Sequence, residues 1–197
     1  MINDYEFVNM LEEYRNEFFR YIYRIVWNDS VAEDVFSSAV QTAWQSREKF
    51  KPGSNFRAWM YRIITNKCYV ANREIKRNSL DVDELDESHF AVDPDLEKRM
   101  TDDPEWITEH AGDELLEAMK QLSTAERSSL ILLAIERYSY KEIAEILEMP
   151  VGTVMTHLSR GRTRLRRLLM DHVLNTGLID LKNKHVQKHI NQQLKQG

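Results

Sequence analysis

The sequence predicts an all-α protein built as two small helical domains, of three and four helices, joined by an acidic linker. Three observations predict it. Apolar residues recur every three or four positions through two long stretches of the chain. Glycine (6) and proline (4) are scarce among 197 residues, while Leu, Glu, Arg, Ile and Met recur, a composition that favours helix. Residues 79–112 lose the periodicity and hold Pro94, Pro104 and most of the acid, and a structureless stretch of that length separates domains more readily than it sits inside one. A hydrophobic fraction of 42% suffices for a packed core. The expected division is 1–78, a linker at 79–112, a second domain at 113–170, and an extension at 171–197 of unknown role.

The first helix is expected over 4–27, where Phe7, Leu11, Tyr14, Phe18, Tyr21, Ile22 and Ile25 share a face. It stops at Asn28-Asp29. "SVAE" then reads as a capping box, Ser30 and Glu33 satisfying reciprocal amide donors at the start of a second helix that runs to about Glu48. Val31, Val35, Ala39 and Trp44 face inward. "KPGSN" at 51–55 is a turn. A longer helix follows over about 56–77, with Phe56, Trp59, Met60, Ile63, Val70 and Ala71 as its apolar stripe. Its opposite face carries Arg62, Thr65, Asn66, Tyr69, Arg73 and Lys76. Cations, an aromatic ring and amide or hydroxyl groups on one face suit a nucleic-acid strand; on a generic helix they suit solvent equally.

After the linker, "STAE" (123–126) and "SYKE" (139–142) are two further capping boxes, and Pro150 fits a turn or a helix start. Four helices are expected near 113–121, 124–136, 140–147 and 151–169. Beyond 171 the chain is weakly amphipathic.

Charge is segregated. The formal net charge is -5, yet Arg160, Arg162, Arg164, Arg166 and Arg167 crowd the last helix with no carboxylate between Glu148 and Asp171. Twelve acids fall at 81–109, against Lys98 and Arg99. Such asymmetry points to a polyanion partner for the basic parts. The single Cys68 excludes an intramolecular disulfide and any multi-cysteine zinc site, and fits a reducing, cytoplasmic setting. The N-terminus lacks the pattern of a signal peptide, and the longest strongly apolar run, 130–135, is far too short to span a membrane. His185 and His189 lie four apart with no nearby acid or thiol, so no metal is expected there. No nucleophile–base pair, phosphate loop or carboxylate constellation marks an enzyme; no cofactor, metal or small-molecule substrate is expected.

The strongest constellation lies at 141–158, spaced as a helix-turn-helix. Ala144 is small where two helices approach; Val154, ten residues on, packs back on the first. Ile143, Leu147 and Leu158 complete the small core, and Val151, Val154, Leu158, Leu165 and Leu168 form the buried stripe. Thr153, Thr156, Ser159, Arg160, Thr163 and Arg167 point away. Short hydroxyls and arginines on an outward face suit the major groove, where Arg reads guanine and Ser or Thr meets bases or phosphates. The later arginines would neutralise phosphates. The turn position four residues after Ala144 commonly takes glycine in a left-handed conformation. Glu148 there carries a cost of about 1 kcal/mol.

The string "LSTAERSSLILLAIERYSYKEIAEILEMPVGTVMTHLSRGRTRLRRLL" resembles region 4 of the sigma-70 family. "AEDVFSSAVQTAWQSREKF" with "NFRAWMYRIITNKCYVANR" resembles region 2. Two such regions without others are similar to the extracytoplasmic-function (ECF) group of sigma factors. The resemblance implies a transcription initiation factor that takes core RNA polymerase to promoter DNA. Region 2 would bind polymerase and open the −10 element, and region 4 would read the −35 element. It puts polymerase binding on Asp34, Ser37, Ser38 and Gln41, where relatives usually show Gln-Glu in place of Ser37-Ser38. It puts −10 contacts on Asn55, Phe56, Arg62, Asn66, Tyr69, Arg73 and Lys76, with Val70 and Asn72 departing from a common Asp and Leu. It puts −35 bases on Thr156, Ser159 and Arg160 and backbone on Arg162, Arg164 and Arg167. Met155 and His157 stand where basic residues are frequent. It further implies an anti-sigma factor as partner, and a linker whose carboxylates mimic nucleic acid. Two readings compete: a stand-alone helix-turn-helix regulator that binds an operator without polymerase, and a protein-interaction module that holds polymerase without using DNA.

Overall fold

The computed structural model describes residues 3–51, 53–78 and 113–176. The expected linker and most of the C-terminal extension, including Trp106, His185 and His189, lie outside the described residues. Among those described, every regular element is helical.

In the N-terminal half, α1 spans Asp4–Val26, α2 spans Asp29–Gln45 and α3 spans Phe56–Asn78. α1 opens with a capping box formed by Asn3 and Glu6 and closes on Trp27, whose left-handed backbone (φ 55°) ends the helix. α2 begins differently from the sequence expectation. Asn28, not Ser30, is the cap: its side chain accepts from the Val31 N–H, and Ser30 falls inside the first turn. Asparagine caps as well as serine, and it comes first along the chain. Asn55 caps α3 in the same way, accepting from the Ala58 N–H at 3.0 Å.

The buried side of α3 is rotated from the predicted stripe. Phe56, Met60, Tyr61, Ile64, Thr65 and Cys68 are buried, whereas Trp59, Ile63 and Ala71 are only half-buried and Val70 is exposed. Tyr61, outside the predicted stripe, is fully buried despite its hydroxyl. Packing accommodates it: its ring meets Phe18, Tyr21 and Tyr138, and its hydroxyl donates to Glu17 at 2.7 Å. Tyr21 and Thr65 satisfy each other at 2.8 Å in the same core. A second aromatic group, Phe7, Phe50, Phe56, Trp59 and Trp44, closes the other end of this three-helix layer.

In the C-terminal half, α4 spans Asp113–Lys120, α5 Thr124–Ala134, α6 Tyr140–Leu147 and α7 Val151–Thr176. The capping boxes at Ser123/Glu126 and Ser139/Glu142 form as expected. Gly161 is what lets α7 lie close on α5. A Cβ there would stand 2.9 Å from the Leu130 side chain and 3.3 Å from that of Glu126.

The halves share a seam. α3 packs on α6 and α5, and α1 packs on α5. Arg57 of α3 spans it, bonding Glu17 of α1 and, at 2.7 Å, Glu136 beyond α5. Its guanidinium also lies over the rings of Tyr61 and Tyr138. At the other end Arg127 of α5, itself buried, donates to the carbonyls of Ile25, Met119, Lys120 and Leu122. A cation there meets the negative ends of both α1 and α4. Asn72 bonds the Ile25 carbonyl and, at 3.0 Å, the Thr124 hydroxyl.

Candidate nucleic-acid interface

The helix-turn-helix is α6, the turn at Glu148 to Pro150, and α7. Ile143, Ala144 and Leu147 of α6 are buried against Val154 and Leu158 of α7, so the ten-residue Ala144–Val154 spacing does close a small core. Glu148 caps α6 in the left-handed conformation expected of it, φ 54° and ψ 42°, with its N–H on the Ala144 carbonyl. Pro150 accepts from Thr153 and Val154 as α7 starts. Val151 is 38% exposed, so the apolar stripe of α7 begins at Val154 instead.

On the outward side of α7, Met155, Thr156, Arg160 and Arg167 are exposed; Thr153, Ser159, Arg162, Thr163 and Arg164 are half-buried. Thr156 donates its hydroxyl to Gly152 in its own helix at 2.9 Å, which leaves its lone pairs and methyl outward. Arg164 has its Nε buried without a hydrogen-bond partner, an arrangement that its location on α7 does not by itself explain. Arg160, one turn beyond Thr156, is exposed on the same side.

On α3, Arg62, Asn66, Arg73 and Lys76 are exposed and Tyr69 is half-buried. Burial pushes the Tyr69 hydroxyl up to about 12, so it is a neutral donor at physiological pH. Thr65, expected on this face, is buried instead, and Phe56 and Asn55, expected to contact DNA beside it, are engaged within the fold. Phe56 is 5% exposed, wedged among Phe7, Phe50 and Trp59, because its position opens the inward turn of α3. Asn55 is exposed, but its carboxamide oxygen is taken by the cap. The turn before it is tight, with Gly53 at φ 82° and Ser54 bonding Lys51 through both backbone and hydroxyl.

On α2, Ala32, Val35, Ala39 and Ala43 are buried, which turns Asp34, Ser37 and Gln41 to solvent as one surface. Ser38 is half-buried at its edge, its carbonyl accepting from Thr42. Nothing on these three surfaces is arranged as a metal site: among the described residues no group of three or more His, Cys, Asp or Glu converges.

The seam is a site that sequence reasoning did not find. Arg62 pairs with Glu148 across it, and Asn66 donates to the same carboxylate at 3.4 Å. Burial raises the Glu136 carboxyl above the usual carboxylate range, against the opposing pull of Tyr61 and Arg57. Tyr61 is held well above an ordinary phenol by burial and by its bond to Glu17. For Arg57 burial would lower the pKa, but the bond and charge of Glu17 together with Tyr138 and Tyr61 outweigh it, and the guanidinium titrates higher than usual. Arg127, lowered to about 10 by burial, stays charged at neutral pH. None of these pairings has a sequence period; only Arg127 and Glu136, charged residues on either side of the apolar run 130–135, carried a signal.

Residues 10–78 match the family described as Sigma-70 region 2, and residues 112–165 match Sigma-70, region 4. Among curated proteins the chain is 29% identical over 170 residues to the ECF RNA polymerase sigma factor SigE of Mycolicibacterium smegmatis, covering 85% of this chain and 63% of that one. It is 27% identical over 167 residues to the ECF RNA polymerase sigma factor SigW of Bacillus subtilis, covering 84% and 89% respectively. Among solved structures it superposes on the sigma factor RpoE bound to the anti-sigma factor NepR from Bartonella quintana. The TM-score is 0.61 and the identity 25%, over 84% of this chain and 97% of that one. The fold also matches CnrH in complex with the cytosolic domain of CnrY (TM-score 0.59, 22% identity, 86% and 90% covered).

Proposed function

The chain belongs to the sigma-70 family of RNA polymerase sigma factors, in its ECF group, and we propose how its surfaces divide the work of promoter-directed initiation. The α2 surface of Asp34, Ser37, Ser38 and Gln41 docks on core RNA polymerase. The α3 face of Arg62, Asn66, Tyr69, Arg73 and Lys76 holds the −10 element, with the Lys51–Asn55 turn receiving an unstacked base above the buried Phe56. The outward side of α7 reads the −35 element: Thr156, Ser159 and Arg160 at base edges, and Thr153, Arg162, Thr163, Arg164 and Arg167 along the backbone.

The observation that carries this reading is the pairing of a closed helix-turn-helix with a second outward cationic face on α3, each on a helix whose other side is locked in a core. A stand-alone operator-binding regulator would leave the α3 face without a task. In this reading the polymerase performs the catalysis and the chain supplies position alone. Among the described residues no helix is long and apolar enough to cross a membrane, and we place the protein in the cytoplasm with its polymerase. An anti-sigma factor, such as the RpoE structure contains, is the regulator that this reading assigns to it. We assign 1–78 and 113–170 as the two functional domains, 79–112 as a solvated acidic tether, and leave 171–197 to a truncation test.

The test is transcription from sheared genomic DNA by purified core polymerase with and without the chain, mapping RNA 5′ ends. New starts that share paired upstream elements are expected. Starts identical to those of core alone, while a control sigma factor redirects the same polymerase, would refute the reading.

A further inference from the structure

We propose that Glu148 is a built-in competitor of DNA: its carboxylate, carried on the turn of the helix-turn-helix, sits on the −10 face of α3 in place of a phosphate. The proposal rests on the reading of α3 as a DNA-binding face. Two partners of the Glu148 side chain, Arg62 and Asn66, lie across the seam on α3. An arginine and a carboxamide donating to one anion is the donor set that a backbone phosphate would meet there.

The turn itself gives no reason for a glutamate. With φ 54° the position strains a side-chain residue where glycine would sit without strain. Nor does Glu148 hold the seam together, since its side chain and that of Arg62 are each about half exposed (46% and 51%). The seam is fixed from below by Arg57, Asn72 and Arg127. Those contacts bring the turn to α3, and Glu148 then uses the placement. Its effect is electrostatic more than steric: it neutralises one of the cations on the face and repels an incoming phosphate.

An exposed pair is worth up to about 1 kcal/mol, so removing the carboxylate should tighten binding by up to about fivefold. The full-length protein is titrated with a fluorescein-labelled random-sequence single-stranded DNA at low salt, by anisotropy. Glu148→Gln should bind severalfold more tightly than wild type, and the gain should vanish when Arg62→Ala is added. Glu148→Gly should show the same gain while unfolding at a higher temperature, because it relieves the left-handed strain; this separates unmasking from damage. Equal affinity of Glu148→Gln and wild type, with Arg62→Ala still weakening binding, overturns the competitor and leaves the α3 reading standing. A gain that persists without Arg62 also overturns it. If Arg62→Ala changes nothing in either background, the α3 reading falls and the competitor with it.

Discussion

The two outward cationic helices, α3 and α7, differ in what lies over them. The side of α7 proposed to read bases is open to solvent, with Thr156 and Arg160 exposed. The equivalent side of α3 faces the other half, and Arg62 and Asn66 share the Glu148 carboxylate. The same kind of residue pattern therefore has two different environments, and the pattern alone does not distinguish them. What separates them is the seam: Arg57 and Arg127 each join helices on both sides of it, one through carboxylates and the other through backbone carbonyls.

The comparison breaks most severely at Arg127. Replacing it by alanine leaves the carbonyls of Ile25, Met119, Lys120 and Leu122 without their donor in a buried place. Unsatisfied buried groups cost about 1–3 kcal/mol each where water cannot replace the donor, so a loss of about 4 kcal/mol is expected in urea unfolding. A loss below about 1 kcal/mol would mean that the seam is wet or open in solution.

Arg57→Ala is next. It strands Glu136, whose side chain is 4% exposed, beside Glu17, and breaking a buried pair costs about 3 kcal/mol. Small-angle scattering should also register a larger radius of gyration as α3 and α6 separate. An unchanged radius would show that apolar contacts alone hold the halves.

Cys68 sharpens the comparison from inside α3. Burial pushes its thiol from 9.0 up to about 12, so the folded state keeps a proton that the unfolded chain releases. Stability should therefore fall as pH rises from about 9 towards about 12, by about 1.4 kcal/mol per pH unit from this group. In Cys68→Ala that component of the slope should be absent; an identical slope in both proteins would contradict the burial. The smallest effect on stability belongs to Arg160→Ala on α7, within about 0.5 kcal/mol, yet promoter choice in the mapped transcripts should be lost. A substantial loss of stability would show that Arg160 is a packing residue.

Much of this was legible in the sequence because it is local. The helices, the Ser123 and Ser139 capping boxes, the Ala144–Val154 packing and the left-handed Glu148 all follow from spacing and backbone preference within one or two turns. Errors arose where two local signals competed or a long-range one intervened. Asn28 and Ser30 were both credible caps, and the order along the chain decided between them. Phe56 reads from its period as the first residue of the apolar stripe and from the resemblance as a −10 contact, and the rings of Phe7, Phe50 and Trp59 enclose it as the stripe requires. Thr65 reads as part of the outward face until its partner Tyr21 is known, and Tyr61 and Cys68, outside the predicted stripe, join the core through Glu17 and the surrounding apolar packing.

The sequence by itself determined which segments are helices, where each begins to within a turn, and which residue types face outward on α7. It did so because helix period, capping and charge exclusion act between residues a few positions apart. It missed the end of α7, which runs to Thr176, past the expected 169. Only the tertiary structure decided that Arg57, Asn72 and Arg127 tie one half to the other, and that Glu148 stands over Arg62 and Asn66. Those partners lie between 47 and 102 residues apart along the chain, and no period in a sequence reaches that far; side-chain packing in three dimensions sets which of them meet.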